Sequence, residues 1–385
     1  MLQYRIIQGT FYQTMEKIEY KIFDSIRQID RLDWDRIFGN MPEGYAFYKT
    51  LEEANLEDFS FHYVVLYQNR QIVSIAPVFI ADFDLGIAVE GWLEKLIFGI
   101  RKIIPRFLML KTLFCGTPFG EHGVIGLSNN TGSESHFIQG LLESLDGFAR
   151  QKEIKFIIFK DFLENQSRFL SPLLRKGFFR LNSFPVAQNE LNFNSLEDYI
   201  NSLGSATRKN LRRKIKSAYS QAKITVQIVD RVDNIIDDIY GLYFNTLSQG
   251  GTRFETLTRE FFLGVGRNMQ PNVKFFLYYV NDKLAAFNLC FVYSDLCIDK
   301  FIGFDYDISN ANHLYSVSWC HNIEWCLKNS IKFYKTGQTD YYAKLRMGSK
   351  LISLYAYLRH SNKVINSFLR IISLILKPDN FNKVN

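Results

Sequence analysis

Two stretches of the chain, FHYVVLYQNRQIVSIAPVFIADF at 61–83 and VKFFLYYVNDKLAAFNLCFVYSD at 273–295, have the same form. Each reads as two strands joined at a tight turn, Gln68-Asn69-Arg70 in the first and Asn281-Asp282 in the second. After each hairpin a further strand leads into a polar loop that opens an amphipathic helix, and a strand closes the unit. In the first half this run is 123–162, with its last strand at 154–159; in the second it is 299–340, with its last strand at 331–335. Hairpin, strand, helix and strand, repeated, predict an internally duplicated α/β chain. The first copy carries an insertion, 84–115, between its hairpin and next strand. A boundary near residue 190 divides the chain into expected halves of 1–190 and 191–385.

Composition supplies the material for two cores. Of 385 residues 47% are apolar and 16% aromatic, which excludes disorder over most of the length. The five cysteines, Cys115, Cys290, Cys297, Cys320 and Cys326, are odd in number and form no C-x-x-C pair. That argues against a disulfide framework or zinc cage and for a reducing compartment. The N-terminus lacks the basic start and apolar run of a secretory signal, and no apolar run reaches the ~20 residues of a membrane span. The expected location is the cytoplasm, with peripheral contact at the inner membrane face left open. The six histidines form no metal-ligand motif, and no nucleophile elbow supports a Ser-His-Asp triad.

The sharpest local feature is SATRKNLRRKIKSA, 205–218. It holds Arg208, Lys209, Arg212, Arg213, Lys214 and Lys216, six of the 46 cationic side chains of a chain with net charge +7. Leu211, Ile215, Ala218 and Ala222 make one apolar stripe of a helix over 205–222, capped by Ser205 or Thr207. A solvated helix normally mixes signs, yet no acid lies between residues 205 and 229. No helix-turn-helix, zinc finger or basic zipper surrounds the stretch, so duplex DNA is a poor partner. A phosphate-bearing carrier suits it better: the pyrophosphate of coenzyme A, an acyl-carrier arm or the acceptor stem of a charged tRNA. Arg208, Arg212 and Arg213 are the expected phosphate contacts, with Lys209 beside them, because a guanidinium fork matches phosphate oxygens.

The hairpin with NDKLAAF, the strand ending GFDYD, the helix after it, and KFYKTGQTDYYAKLRMGSKL resemble the BioF2-like acetyltransferase domain of the GNAT superfamily. That domain is related to the Fem aminoacyl transferases of peptidoglycan synthesis, which carry an Arg/Lys-rich helix where 205–218 lies. The resemblance covers roughly residues 190–358; the N-terminal half matches in pattern, including its IAPVF strand. It implies tandem GNAT-like (acyl-CoA N-acyltransferase) α/β domains with mixed central sheets flanked by helices. The implied activity is acyl or aminoacyl transfer to a small or lipid-linked amine acceptor. Acyl-CoA, a carrier protein or aminoacyl-tRNA would be the donor, with no tightly bound cofactor.

Lys344 falls where the resembling families place a lysine that stabilises charge at the acyl carbonyl, although Ala343 stands where they usually have Phe. Asp340 is the nearest carboxylate by sequence to take the amine's proton. Ser309, Asn310 and Asn312 fall before a helix, where GNAT folds seat a pyrophosphate, but the Q/R-x-x-G-x-G/A signature is absent and ordinary capping is the alternative. Tyr341 and Tyr306 are expected cleft walls and Arg346 a substrate contact. His122, beside Glu121 in CGTPFGEHG, lines an acceptor pocket or belongs to a structural loop. A competing reading is a non-catalytic module that binds an anionic cell-wall or lipid-linked precursor. Two amphipathic segments, 87–110 and 363–378, are either packed caps or interfacial helices.

Overall fold

A computed structural model describes residues 18–88, 92–128, 134–249, 256–338 and 340–375. In chain order the strands are β1 (Glu19–Phe23), β2 (Ser60–Gln68), β3 (Gln71–Asp84), β4 (Met109–Cys115), β5 (Gly126–Leu127), β6 (Phe156–Leu163) and β7 (Phe179–Asn182). There follow β8 (Val186–Glu190), β9 (Ile224–Val229), β10 (Val273–Val280), β11 (Lys283–Tyr293), β12 (Leu296–Phe304), β13 (Phe333–Lys335), β14 (Lys350–Ile352) and β15 (Leu354–His360). Both expected hairpins form. Their two-residue turns, Asn69-Arg70 and Asn281-Asp282, have positive φ throughout, the twist that joins antiparallel strands without splaying them.

The strands build two mixed sheets, ordered β1-β2-β3-β4-β6-β15-β7 and β9-β10-β11-β12-β13-β8-β14, with β5 off the path on β3. The orders correspond position by position. In each, a parallel pair (β4 with β6, β12 with β13) is bridged by a helix, Glu134–Gln151 or Leu314–Lys328. The duplicated α/β architecture expected from sequence is therefore present.

Two details differ from expectation. The third strand of the first copy is β4, inside the segment assigned as an insertion; only residues 85–108, with the helix Trp92–Arg101, are extra. The boundary at residue 190 is also crossed twice. β8 belongs to the second sheet, and β15, from the far end of the chain, lies between β6 and β7 in the first. Each sheet thus borrows one strand from the other half. A cut at 190 leaves β6 and β7 without the partner that joins them.

An apolar core fills the space between the halves. Trp34, Phe47 and Tyr48 of the first half meet Phe261, Phe262 and Phe291 of the second. The helices Tyr45–Glu53 and Arg259–Asn268 pack so closely that a Cβ on Gly264 would lie 2.9 Å from Thr50 Cγ2. Asn268 Nδ2 donates across the same contact to Thr50 Oγ1 at 3.1 Å and Glu53 Oε2 at 2.8 Å.

Candidate functional site

β12 and β13 pair only from Leu296↔Phe333 to Ile298↔Lys335. Beyond that point Thr336 N donates to Ala187 O at 3.0 Å and Ala187 N to Gly337 O at 3.2 Å, keeping the β13 chain on β8, while β12 runs on with β11 to Phe304. The second sheet opens there. In the first sheet the equivalent opening is filled by the chain's own loop: Gly123 N donates to Asp161 O at 2.8 Å, and a Cβ on Gly123 would lie 2.3 Å from Lys160 O. One copy is plugged and the other is open.

Lys344 sits at the opening. It is 7% exposed, and its ammonium donates to the Thr336 carbonyl, on the first residue past β13. Its short helix, Tyr341–Arg346, is fixed at its far end by Tyr199 OH and Asn189 Nδ2, which donate to Met347 O at 2.6 and 2.8 Å. Tyr199 in turn accepts from Trp319 Nε1 at 2.8 Å. Burial lowers the Lys344 pKa to about 8, with the nearby charges of Asp299, Asp340 and Glu121 opposing the fall.

Asp299 and Lys300 are adjacent in β12, and strand alternation sends them to opposite faces. Asp299 accepts from Asn288 Nδ2 at 2.8 Å and Tyr334 OH at 2.7 Å, and Asn322 Nδ2 stands 3.5 Å away. Burial raises its pKa to about 6, against those donors and the charge of Lys344. Lys300 turns toward the first half, where its Nζ meets Glu43 Oε1 at 2.6 Å and Glu121 Oε1 at 3.4 Å, all three side chains nearly inaccessible. Burial alone would pull the Lys300 pKa down; the two carboxylates more than offset it. Glu43 also accepts the Glu121 backbone N–H at 2.9 Å. A Cβ on Gly120 would strike Thr117 Cγ2 at 2.0 Å, so this tight loop needs glycine there.

His122 follows Glu121 and is half-buried. Burial lowers its pKa, with Lys335 and Lys300 adding to the fall and Glu43 and Glu121 opposing it, which favours the neutral imidazole. Among the described residues, four buried polar atoms around the opening have no hydrogen-bond partner: Glu121 Oε2, Asn288 Oδ1, Thr336 Oγ1 and Tyr315 OH. Desolvation raises the Tyr315 pKa first, and Asp340 and Asp299 add to it, which places that phenol beside the same charges. Unsatisfied buried polar groups are costly, and such a concentration marks a place for water or substrate.

The remaining sequence candidates divide. Asp340 is exposed at the start of the Lys344 helix with φ 51°, makes no capping bond, and is less recessed than Asp299 or Glu121. Tyr341 is buried and donates to Pro185 O at 2.8 Å, holding the helix to the β7–β8 link. Arg346 is exposed; its Nε lies 3.4 Å from Thr207 Oγ1, so the Lys344 helix abuts the start of the basic helix. Tyr306 is half-buried against Phe304 beyond the end of β12.

Ser309, Asn310 and Asn312 require a correction. Residues Tyr306–Ala311 form a short helix capped by Asp305, and the long helix begins after His313. Ser309 is buried and donates to Ala285 O, Asn312 Nδ2 donates back to Ile308 O at 2.9 Å, and Asn310 is exposed. These side chains serve the short helix and its end, while the long helix they were expected to open starts only at Leu314, after His313, with no side-chain cap.

The basic helix spans Ser205–Gln221 and packs Leu211 and Ala218 beside the helix Leu314–Lys328. Its N-cap is Gly204, with no side-chain cap from Ser205 or Thr207. Arg208 donates to the carbonyls of Asn201 at 2.8 Å and Leu203 at 3.3 Å; Arg212 engages Glu197 and Asn201. Both guanidinium groups therefore tie the basic helix to the preceding helix, Leu196–Ser202: Arg208 satisfies carbonyls at its C-terminal end, and Arg212 holds the side chains of Glu197 and Asn201. Among the described residues Arg213 donates only to Asn210 of its own helix, and Lys209 and Lys216 are exposed.

Sequence reading missed Asp299, Lys300 and Glu43. The available signal was the Asp-Lys pair inside the otherwise apolar strand LCIDKFIGF, since mid-strand charges need buried partners.

The family model for FemAB-like proteins, described as peptidoglycan biosynthesis/recognition, matches residues 25–370. The chain belongs to the FemAB-like family. Among solved structures it is similar to FemX, with TM-score 0.54 and 10% identity over 92% of this chain and 100% of that one. A tandem GNAT protein from the clavulanic acid biosynthesis pathway gives TM-score 0.54 and 9% identity over 90% and 99%. A conserved protein of unknown function from Bacteroides thetaiotaomicron gives 0.52 and 13% over 89% and 99%. No curated protein matches the chain significantly. At these identities the structures establish the tandem GNAT fold of this FemAB-like chain.

Proposed function

We propose that this FemAB-like protein transfers an acyl or aminoacyl group from an activated, phosphate-bearing donor to an amine acceptor in the opening between β12 and β13. The observation that carries the reading is the buried Lys344 ammonium, held on the Thr336 carbonyl where the strands part, with Thr336 Oγ1 itself buried and unpartnered among the described residues. The amine nitrogen attacks the donor's carbonyl carbon, and the oxyanion that forms is stabilised by the ammonium in a site with little water. Collapse breaks the C–S bond of a thioester or the C–O bond of an ester. The amine's surplus proton passes to the neutral imidazole of His122, which hands it on to the leaving sulfur or oxygen. Asp299 keeps Lys344 charged. Lys209, Arg213 and Lys216, on the basic helix whose start abuts the end of the Lys344 helix, attract the donor's phosphates without base or sequence readout.

Family membership and fold support transfer chemistry, as does the presence of one open unit beside one plugged unit. The test is product formation. Purified protein is incubated separately with acetyl-CoA and with a mixed pool of aminoacyl-tRNA, each with an amine-bearing muropeptide, and the muropeptide mass is followed. A gain of one acyl or aminoacyl unit with one donor supports the reading. Muropeptide binding with no product under either donor replaces it with a recognition module.

The pH profile of kcat/KM is expected to be bell-shaped. The lower limb falls near 6, where Asp299 ionises, and the upper limb near 8, where Lys344 loses its proton. Residual turnover of Lys344→Met should lack the upper limb. A wild-type profile that keeps rising from pH 7 to 9.5 would remove the ammonium from the mechanism.

A further inference from the structure

We infer that one edge of the first sheet is a docking surface for an anionic lipid bilayer. The helix Lys363–Ile375 has two apolar sides. The inner side is seated: Leu369 packs on the sheet cluster around Phe114, and Asn366 donates to Gly177 O at 2.9 Å. The outer side carries Val364, Phe368 and Ile371, spaced four and three residues apart and 78, 61 and 57% exposed. Ile365 is exposed next to them.

A second apolar group lies on the same edge. β15 ends at His360, opposite Phe156 at the start of β6, which pairs with Thr112 of β4. β4 extends back from there to Met109 and β3 out to Asp84, so residues 85–108 leave the sheet on the side where the C-terminal helix begins. That excursion exposes Phe98 (66%), Ile103 (84%) and Ile104 (54%). Together the two segments hold about half of the large apolar side chains exposed among the described residues.

Charge selects the occupant. No acid occurs from Ser361 to Ile375, and Lys363 and Arg370 flank the outer stripe. In the excursion Lys95 and Lys102 are exposed, and Lys102 Nζ lies 5.4 Å from the Phe98 ring. The nearby acids Asp82 and Asp84 are engaged by Arg106 and Arg101, and Glu153 stands among Lys152 and Lys155. Exposed apolar side chains beside the acid-free Lys363 and Arg370, with Lys95 and Lys102 balanced along the sequence by Glu90 and Glu94 in the excursion, match the boundary of acyl chains and anionic head groups, the C-terminal helix supplying the net positive charge. Among the described residues no helix is long and apolar enough to span, so contact is with one leaflet. The loop carrying Glu121 and His122 follows the opposite end of β4, seven residues away, or roughly 20 Å at strand spacing. A site held at that height works on groups that project from the leaflet.

The experiment is co-sedimentation with vesicles of phosphatidylcholine alone or mixed with phosphatidylglycerol. The full chain should sediment with the anionic vesicles, and binding should weaken as salt rises. A Phe368→Glu, Ile371→Glu variant should lose roughly tenfold or more in affinity while keeping wild-type thermal unfolding, because both side chains already face water. Leu32→Glu with Phe244→Glu, exposed elsewhere, should bind as wild type. Equal binding by the paired variant, or absence of wild-type binding, overturns the inference. A dimer in solution that the same variant dissolves assigns the face to a second copy and also overturns it. Sedimentation is read without turnover, so its failure and that of the proposed transfer are separable.

Discussion

Replacing Lys344 with methionine should lower kcat by roughly 10²–10³-fold, the range seen when a fixed donor to a developing oxyanion is removed. Methionine keeps the length of the stem and removes the charge. Donor affinity should change little, since the surface cations lie on another element, so the loss should appear in kcat and leave donor KM nearly as it was. Stability should move the other way. The folded-state pKa of about 8 is below the unfolded value of ~10.4, so between those values the unfolded chain holds a proton that the folded chain has released. Folding is therefore penalised by this group at neutral pH, and stability rises with pH through that window. At pH 7 the penalty is on the order of 3 kcal/mol, so Lys344→Met should unfold at equal or higher urea concentration than wild type. A more active or markedly less stable variant would mean that the ammonium braces the fold and has no role in the reaction.

Lys300→Met should cost about 3–5 kcal/mol, because it leaves the Glu43 and Glu121 carboxylates facing each other with no cation in the space between the halves. The variant carrying Lys300→Met, Glu43→Gln and Glu121→Gln should recover much of that loss, since neutral amides can share that space. Urea unfolding at pH 7.5 measures both effects. A single substitution costing less than ~1 kcal/mol at pH 7.5 would show that the carboxylates find other partners or water.

How much of this was legible beforehand follows from the range of each interaction. Both hairpins, the basic helix with its Leu211 stripe, and the helices before β6 and β13 were readable because periodicity and turn residues act within a few positions. Lys344 was found through the resemblance of the segment around it; nothing local marked it as buried. The phosphate role expected of Arg208 and Arg212 did not anticipate that the end of the helix Leu196–Ser202 needs those same donors. Asp340 was chosen by proximity along the chain, whereas Asp299, forty-one residues earlier, comes to Lys344 through the parting of two strands.

By itself the sequence determined the duplicated order of strands and helices, since hydrophobic spacing decides locally which backbone pairing a segment can join. Only the tertiary structure decided that β8 and β15 change places between the sheets, that one opening is plugged by its own loop, and that Asp299, Lys300, Glu121 and Lys344 converge. Those outcomes depend on which distant surfaces bury one another, a choice that no short stretch of residues records.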